Sequence, residues 1–399
     1  MIAPSQSPLA AFPSVWAGPN PTQFWRYYHM RPTRVALAAF GAALVLPGSA
    51  FAATYKVSVG APPNAAMPGS FAAGLYDADA YYPGTHSTLK IHKGDRVNFS
   101  GGFHTATILG STSRNAVGII IPDPAHGTYA PVNDFGGAPF YWAGLPKFIY
   151  NPATFAPAGA TTVTSKTALY HSGLLGQFPK GYTLKFNRTG TFTVICAIHP
   201  GMKAKIQVLS RRHRVLSPGK VAKRVRAEVR SDIAKAIALD ESMPRSLGDP
   251  PNPTVTVGAG PSRFSLFAFY PSALSVKVGT TVTFKSGTIN EPHNIGIGEV
   301  NYQFGLLGQI DLFPGGPGSP NQVNPMLFYG SDPPAAGPRS FAGDATNHGN
   351  GFLATNVVWK GSDVPGIAKQ TQVTFTKPGT FVYMCQIHPF MVGAVNVHP

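Results

Sequence analysis

The chain is poor in cysteine, in acidic residues and in long apolar runs, and each shortage excludes something. With only two cysteines in 399 residues, a disulfide-stapled scaffold is ruled out. Sixteen acidic residues against 32 Lys and Arg leave a formal charge of +16, which calls for an anionic protein or lipid surface as partner. The apolar run at 35–46 is short for a membrane span of ~20 residues, and no other segment is apolar enough to cross a bilayer. What is abundant is glycine and proline, 44 and 39 residues, too many for helical bundles. Together with frequent Thr-Val and Phe-Val pairs they predict short strands joined by turns, hence an all-β protein. The length suits two or three domains, and 43% hydrophobic residues can fill their cores.

The N-terminal part reads as an export signal. Arg31 and Arg34 form the basic flank, residues 35–46 the apolar stretch, and Ala50-Phe51-Ala52 the small-x-small cleavage pattern. Residues 1–52 are therefore expected to be leader and signal peptide, with Met30 a candidate start and an uncleaved anchor the alternative. Periplasmic or extracellular localisation follows, and no nucleic acid is expected as partner.

The remainder repeats itself. LKIHKGDRVNF at 89–99 matches LSVKVGTTVTF at 274–284, and GTFTVICAIHPGM at 190–202 matches GTFVYMCQIHPFM at 379–391. Alternating apolar positions such as Leu89, Ile91, Val97 and Phe99 suit half-buried strands around a central glycine turn. Two strand-rich sandwich domains are expected, at 53–209 and 253–399. Residues 210–252 between them differ: Arg211-Arg212-His213-Arg214 is basic, and Ser217-Pro218 supplies a helix start. Val221, Val225, Val229, Ile233 and Ile237 then form one apolar stripe. This predicts a docked amphipathic linker helix, a basic helix lying on an anionic membrane being the alternative.

Both cysteines occupy the first place of Cys-x-x-His-Pro-x-Met, at Cys196, His199 and Met202 and at Cys385, His388 and Met391. One thiolate, one imidazole and one thioether form a soft donor set, and two His, one Cys and a weak axial Met make an electron-transfer copper site. The missing histidine is offered at a matched place in each copy: Cys196 follows His104 by 92 residues, and Cys385 follows His293 by 92. A Cys196 to Cys385 bridge explains the cysteines but not the recurring His and Met. Zinc is a poor fit because a thioether is a weak fourth ligand.

On these residues the chain resembles the cupredoxins, the type 1 blue copper family, with ligand loops similar to those of amicyanin and plastocyanin. The resemblance implies two Greek-key β-sandwiches joined by a helical linker. By position it implies one copper on His104, Cys196, His199 and Met202 and another on His293, Cys385, His388 and Met391. It further implies that His199 and His388 reach the surface through an apolar patch, with Phe390 making the second patch the more adhesive. The interval from first His to Cys exceeds what a minimal cupredoxin needs; its aromatic, Gly- and Pro-rich stretches, such as Phe140-Tyr141-Trp142 and Phe313-Pro314-Gly315-Gly316, are expected to fold over the metal.

The leading functional reading is an exported electron carrier. Its expected partner is an acidic redox protein such as a c-type cytochrome or membrane oxidase, with peripheral membrane contact through the basic linker as a further expectation. A copper oxidoreductase of the nitrite-reductase or oxidase kind, or a copper-delivery protein, is the alternative. An enzyme needs a second metal site held by extra histidines, whereas the cysteines here are flanked by Ile195 and Ala197 and by Met384 and Gln386. His171 and His348, each before a Gly-containing turn, are the candidates for lining such a site.

Overall fold

The computed structural model describes residues 52–61, 75–130, 132–133, 139–141, 144–310, 319–331, 337–344, 347, 351–362, 364 and 367–399. The expected leader and signal up to Phe51, Trp142, the segment 313–316 and His348 lie outside the described residues, and of Phe140 and Tyr141 only the backbone is described. The chain divides into units Met1–Phe51 and Ala52–Pro399, and the second holds both repeats.

Each repeat folds as two facing sheets. In the first, one sheet runs in the order Thr162–Val163, Tyr182–Phe186, Arg96–Gly101, Thr54–Val59, Tyr81–Tyr82. The other runs Tyr170–His171, Thr107–Ile108, Gly190–Ile195, Lys203–Leu209, Leu89–His92. The alternation seen in the sequence becomes the core: Leu89, Ile91, Val97 and Phe99 are all buried in one cluster with Cys196 and Met202. Lys93 and Gly94 carry the chain from one sheet to the other, Gly94 at φ +94, a backbone that L side chains rarely adopt. The second repeat reproduces both orders, with Thr254–Ala259, Thr281–Ser286 and Gln370–Phe375 central in one sheet and Gly379–Met384 beside Val392–His398 in the other. The fold is all-β, two sandwiches with a helical linker, and no helix among the described residues is long and apolar enough to cross a membrane.

The halves are stitched together. Tyr76–Asp77, from the first repeat, pairs antiparallel with Ser265–Tyr270 of the second, Ser265 opposite Asp77. Helix α1 (Pro218–Ser242) lays its apolar stripe across both. Val225, Val229 and Ile233 pack on Ala78, Ala80 and Tyr82, while Ala236 and Ile237 pack on Phe264, Leu266 and Tyr270. The stripe is thus covered by protein, and Arg211 to Arg214 stay exposed. Ser246–Gly248, at the end of the expected linker, adds a parallel edge strand to the second sandwich. One charge serves both halves. Asp232, fully buried on α1, accepts from Tyr82 Oη at 2.8 Å and lies 2.5 Å from His86 Nε2 and 3.2 Å from Arg263 Nε.

The long interval before the first cysteine adds a third seam. Phe148 stacks on Phe328, ring centroids 4.5 Å apart, inside a cluster with Val323, Val357 and Trp359 of the second repeat. Tyr150 N–H donates to the Asn321 carbonyl at 2.9 Å. The described part of this insertion therefore bridges the two sandwiches, and it also reaches the first ligand loop, where Arg114 Nη2 donates to the Cys196 carbonyl at 2.6 Å.

Candidate metal centres

Strand pairing assembles each site. Gly190–Ile195 runs into Cys196, and the chain returns as Lys203–Leu209. The intervening loop is closed by Cys196 N–H to the Met202 carbonyl at 3.2 Å and Met202 N–H to the His199 carbonyl at 3.1 Å. Pairing of Ile195 with Thr107 brings the preceding loop, and His104 with it, over the cysteine. His104 Nδ1 and His199 Nδ1 stand 3.0 Å apart, with Cys196 Sγ 3.6 Å from His199 Nδ1. Gly60 sits so close behind His104 that a Cβ would come within 2.6 Å of its Nε2, so that edge of the ring is packed and Nδ1 is left facing the thiol.

The second site repeats this geometry. Cys385 Sγ lies 3.7 Å from His293 Nδ1 and 3.9 Å from His388 Nδ1, and the two Nδ1 atoms are 3.2 Å apart. Cys385 N–H donates to the Met391 carbonyl at 3.1 Å, and Gly258 stands to His293 Nε2 as Gly60 does to His104. Met202 and Met391 are buried in the same cores as their cysteines. Cys196 and Cys385 are both free, buried, and in separate cores, so no disulfide joins them.

Residues 255–398 match the family model of copper-binding proteins of the plastocyanin/azurin family. Over these residues the chain is cupredoxin-like. No curated protein matches it significantly. Among solved structures it is similar to a Cu(I) methionine-to-alanine mutant of amicyanin, 19% identical over 37% of this chain and 84% of that one, TM-score 0.20. It is also similar to amicyanin from Paracoccus versutus, 17% identical over 37% of this chain and 81% of that one, TM-score 0.16.

In both repeats the donor sets fit a soft metal. In each repeat two imidazole nitrogens and a thiol converge within 4.8 Å of one another, a donor set that would suit copper. The surrounding polar groups are also matched. Thr105 donates its N–H to Cys196 Sγ at 3.5 Å and accepts Ala197 N–H on Oγ1 at 2.8 Å. In the second repeat Asn294 Oδ1 accepts Gln386 N–H at 2.8 Å. Neither Thr105 nor Asn294 was singled out by sequence; the signal was their shared place immediately after a ligand histidine. His171 is fully buried and holds Thr107 Oγ1 at 2.7 Å, and Thr107 holds Thr105 Oγ1 at 3.0 Å. His171 therefore buttresses the thiol's neighbours and belongs to no ligand set among the described residues.

The sites differ in where their proton sits. Burial alone would raise the Cys196 thiol, yet the His199 charge and hydrogen bonds from His104 and His199 bring it well below its ordinary value. Burial opposes the His199 charge, but Glu291 and then Cys196 hold that imidazole well above 6.5. In the second site burial pushes the Cys385 thiol up to about 11 and His388 down to about 4. Burial, then His388, also depresses His293. Without metal, the first site thus favours charge on both Cys196 and His199, whereas burial in the second favours the neutral forms of Cys385 and His388. Histidine NMR of the metal-free chain is expected to show His199 still protonated above pH 6.5 and His388 neutral on acidification until about pH 4. Equal midpoints near 6.5 would contradict this asymmetry.

The outer edges differ too. His199 is 4% exposed, not at the surface as the resemblance implied, because Glu291 of the second repeat covers it, with His199 Nε2 to Glu291 Oε1 at 3.3 Å. His388 keeps some exposure beside Phe390, which is 49% exposed with ring centroids 6.2 Å apart.

Proposed function

We propose that this cupredoxin-like protein is an exported electron carrier with two type 1 copper sites, His104, Cys196, His199 and Met202 in one repeat and His293, Cys385, His388 and Met391 in the other. The observation that carries the reading is the twofold convergence of two Nδ1 atoms on one thiol that is buried in its sandwich core. Copper bound there supplies reversible one-electron chemistry. The chain's own part is to hold the donors in place before binding, exclude water, and offer His388 and Phe390 as an apolar edge.

An acidic redox protein, a c-type cytochrome or a membrane-bound oxidase, would meet that edge, steered by the net charge of +16. Export to the periplasm or beyond, and contact of the exposed Arg211 to Arg214 run with an anionic membrane surface, complete the proposal. The test is a metal count and optical spectrum of the purified chain, followed by electron exchange with an acidic cytochrome at several salt concentrations. Two coppers per chain, visible colour when oxidised, and a rate falling steeply with salt are expected. Colourless protein, or zinc in both sites, would refute it.

One observation favours an enzyme as a second reading: Asp79, His199 and Glu291 form another buried trio whose ligand atoms lie within 4.8 Å of one another. A copper count above two together with turnover of nitrite or phenols would select it.

A further inference from the structure

We infer that Glu291 is a single bracket shared by both metal sites, joining the outer imidazoles of His199 and His388 so that the two sites behave as one coupled unit. The inference rests on the two-site reading. Glu291 Oε1 lies 3.3 Å from His199 Nε2, and Oε2 lies 3.6 Å from His388 Nε2, one oxygen to each ring. The carboxylate is buried at the seam, and no Lys or Arg forms an ion pair with it among the described residues. An imidazole that binds metal through Nδ1 keeps its proton on Nε2, so each loaded site presents one N–H, and a carboxylate has two oxygens to receive the pair.

The two repeats depart from symmetry where this contact is made. Glu291 stands two residues before His293, whereas Gly102 stands two residues before His104, so only one copy supplies a carboxylate and it serves both. The ligand loops differ in the same sense. Position Pro-x-Met holds Gly201 in the first loop, where a Cβ would meet Asn290 Oδ1 at 2.3 Å and the Ile289 side chain at 2.4 Å, and Phe390 in the exposed second loop. The first ligand loop is thus seated directly on the segment that carries Glu291. That segment is itself fastened: Trp359 Nε1 donates to the Ile289 carbonyl at 3.2 Å. Thr288 Oγ1 and Ser265 Oγ are 2.9 Å apart, and Ser265 donates to Asp79 Oδ2 at 2.6 Å. Glu291 is a positioning residue held by both halves.

Carboxylates that orient a ligand histidine typically change metal affinity 10–100-fold when removed. For an ordinary outer partner the loss falls on one site; here it falls on two. The experiment titrates the full chain and its Glu291→Gln variant with Cu(I) against a competing chelator and records the oxidised spectra of each. Gln keeps the size but offers one carbonyl oxygen, and its amide N–H groups face the other ring's N–H. Both sites are expected to weaken about 10–100-fold, with both visible bands shifted. In the wild-type chain, closing the first site by Cys196→Ser should also alter affinity at the second, and this coupling should vanish in the Glu291→Gln background.

A variant that alters one site only, or neither, overturns the bracket. So does a third metal equivalent in the wild-type chain that is lost with Glu291→Gln, because Glu291 would then be a ligand in the trio with Asp79. Should the variant not fold, NMR of the wild-type chain loaded with Ag(I) decides: hydrogen-bonded, slowly exchanging Nε2–H protons are expected at both His199 and His388, and free exchange at either overturns the inference. The wild-type metal count tests the two-site reading separately, since it does not involve the variant.

Discussion

Replacing Cys385 by serine is expected to remove one of two copper equivalents and about half of the visible absorption, and Cys196→Ser the other half. The colour of such a site comes from the Cu(II)–thiolate bond, and a serine hydroxyl at neutral pH offers neither the charge nor the soft sulfur. Each thiol has its own pair of imidazoles, at 3.6 Å from His199 in one core and 3.7 Å from His293 in the other, so neither can stand in for its counterpart. Copper measured by mass spectrometry beside the optical spectrum checks this. Retention of full colour by either variant, or complete loss from one alone, would mean that the sites are not two equivalents in one chain. Serine is close to cysteine in size, so the buried volume hardly changes and the fold should survive.

The largest effect on stability is expected from Asp232→Ala, which should cost about 3–5 kcal/mol, the range for removing one partner of a buried charge network. Asp232 is fully buried and contacts Tyr82, His86 and Arg263. Tyr82 and His86 belong to the first repeat and Arg263 to the second, while Asp232 itself rides on α1. Its loss leaves a buried hydroxyl and a part-buried guanidinium without their acceptor, and loosens the two sandwiches from each other. Chemical denaturation of the metal-free chain measures the cost. Asp232→Asn, which keeps an acceptor for Tyr82 but no charge for Arg263, should fall between. A change below about 1 kcal/mol, the worth of an exposed pair, would show that this junction does not hold the halves together.

The ligand candidates were legible because chemistry and duplication coincide in them. Cys-x-x-His-Pro-x-Met needs a strand, a tight return and a second strand, all local in sequence, and the histidine 92 residues upstream was found only because it recurred at the same interval. The strands were legible from alternation, and α1 from a four-residue stripe, since both periods follow from backbone geometry alone. Asp79, Asp232 and Glu291 were not legible. A lone acidic residue in a loop or on a helix carries no periodic signal, and its partners lie far along the chain, 150 residues away for Asp232 and Tyr82. Nor did the insertions announce their role: Phe148 reads as one more aromatic until it meets Phe328.

By itself, then, the sequence determined the class of fold, the repeat, the helix between the copies and the eight candidate ligands, because each rests on spacing within one strand, loop or helix. Only the tertiary structure decided how the copies face each other. The strand Tyr76–Asp77 crosses into the second sandwich, α1 spans both, and the edge of the first site is turned inward onto Glu291 while that of the second stays beside exposed Phe390. Two nearly identical motifs thereby acquire different surroundings, since burial and charge depend on which surfaces meet and not on the spacing of residues within either one.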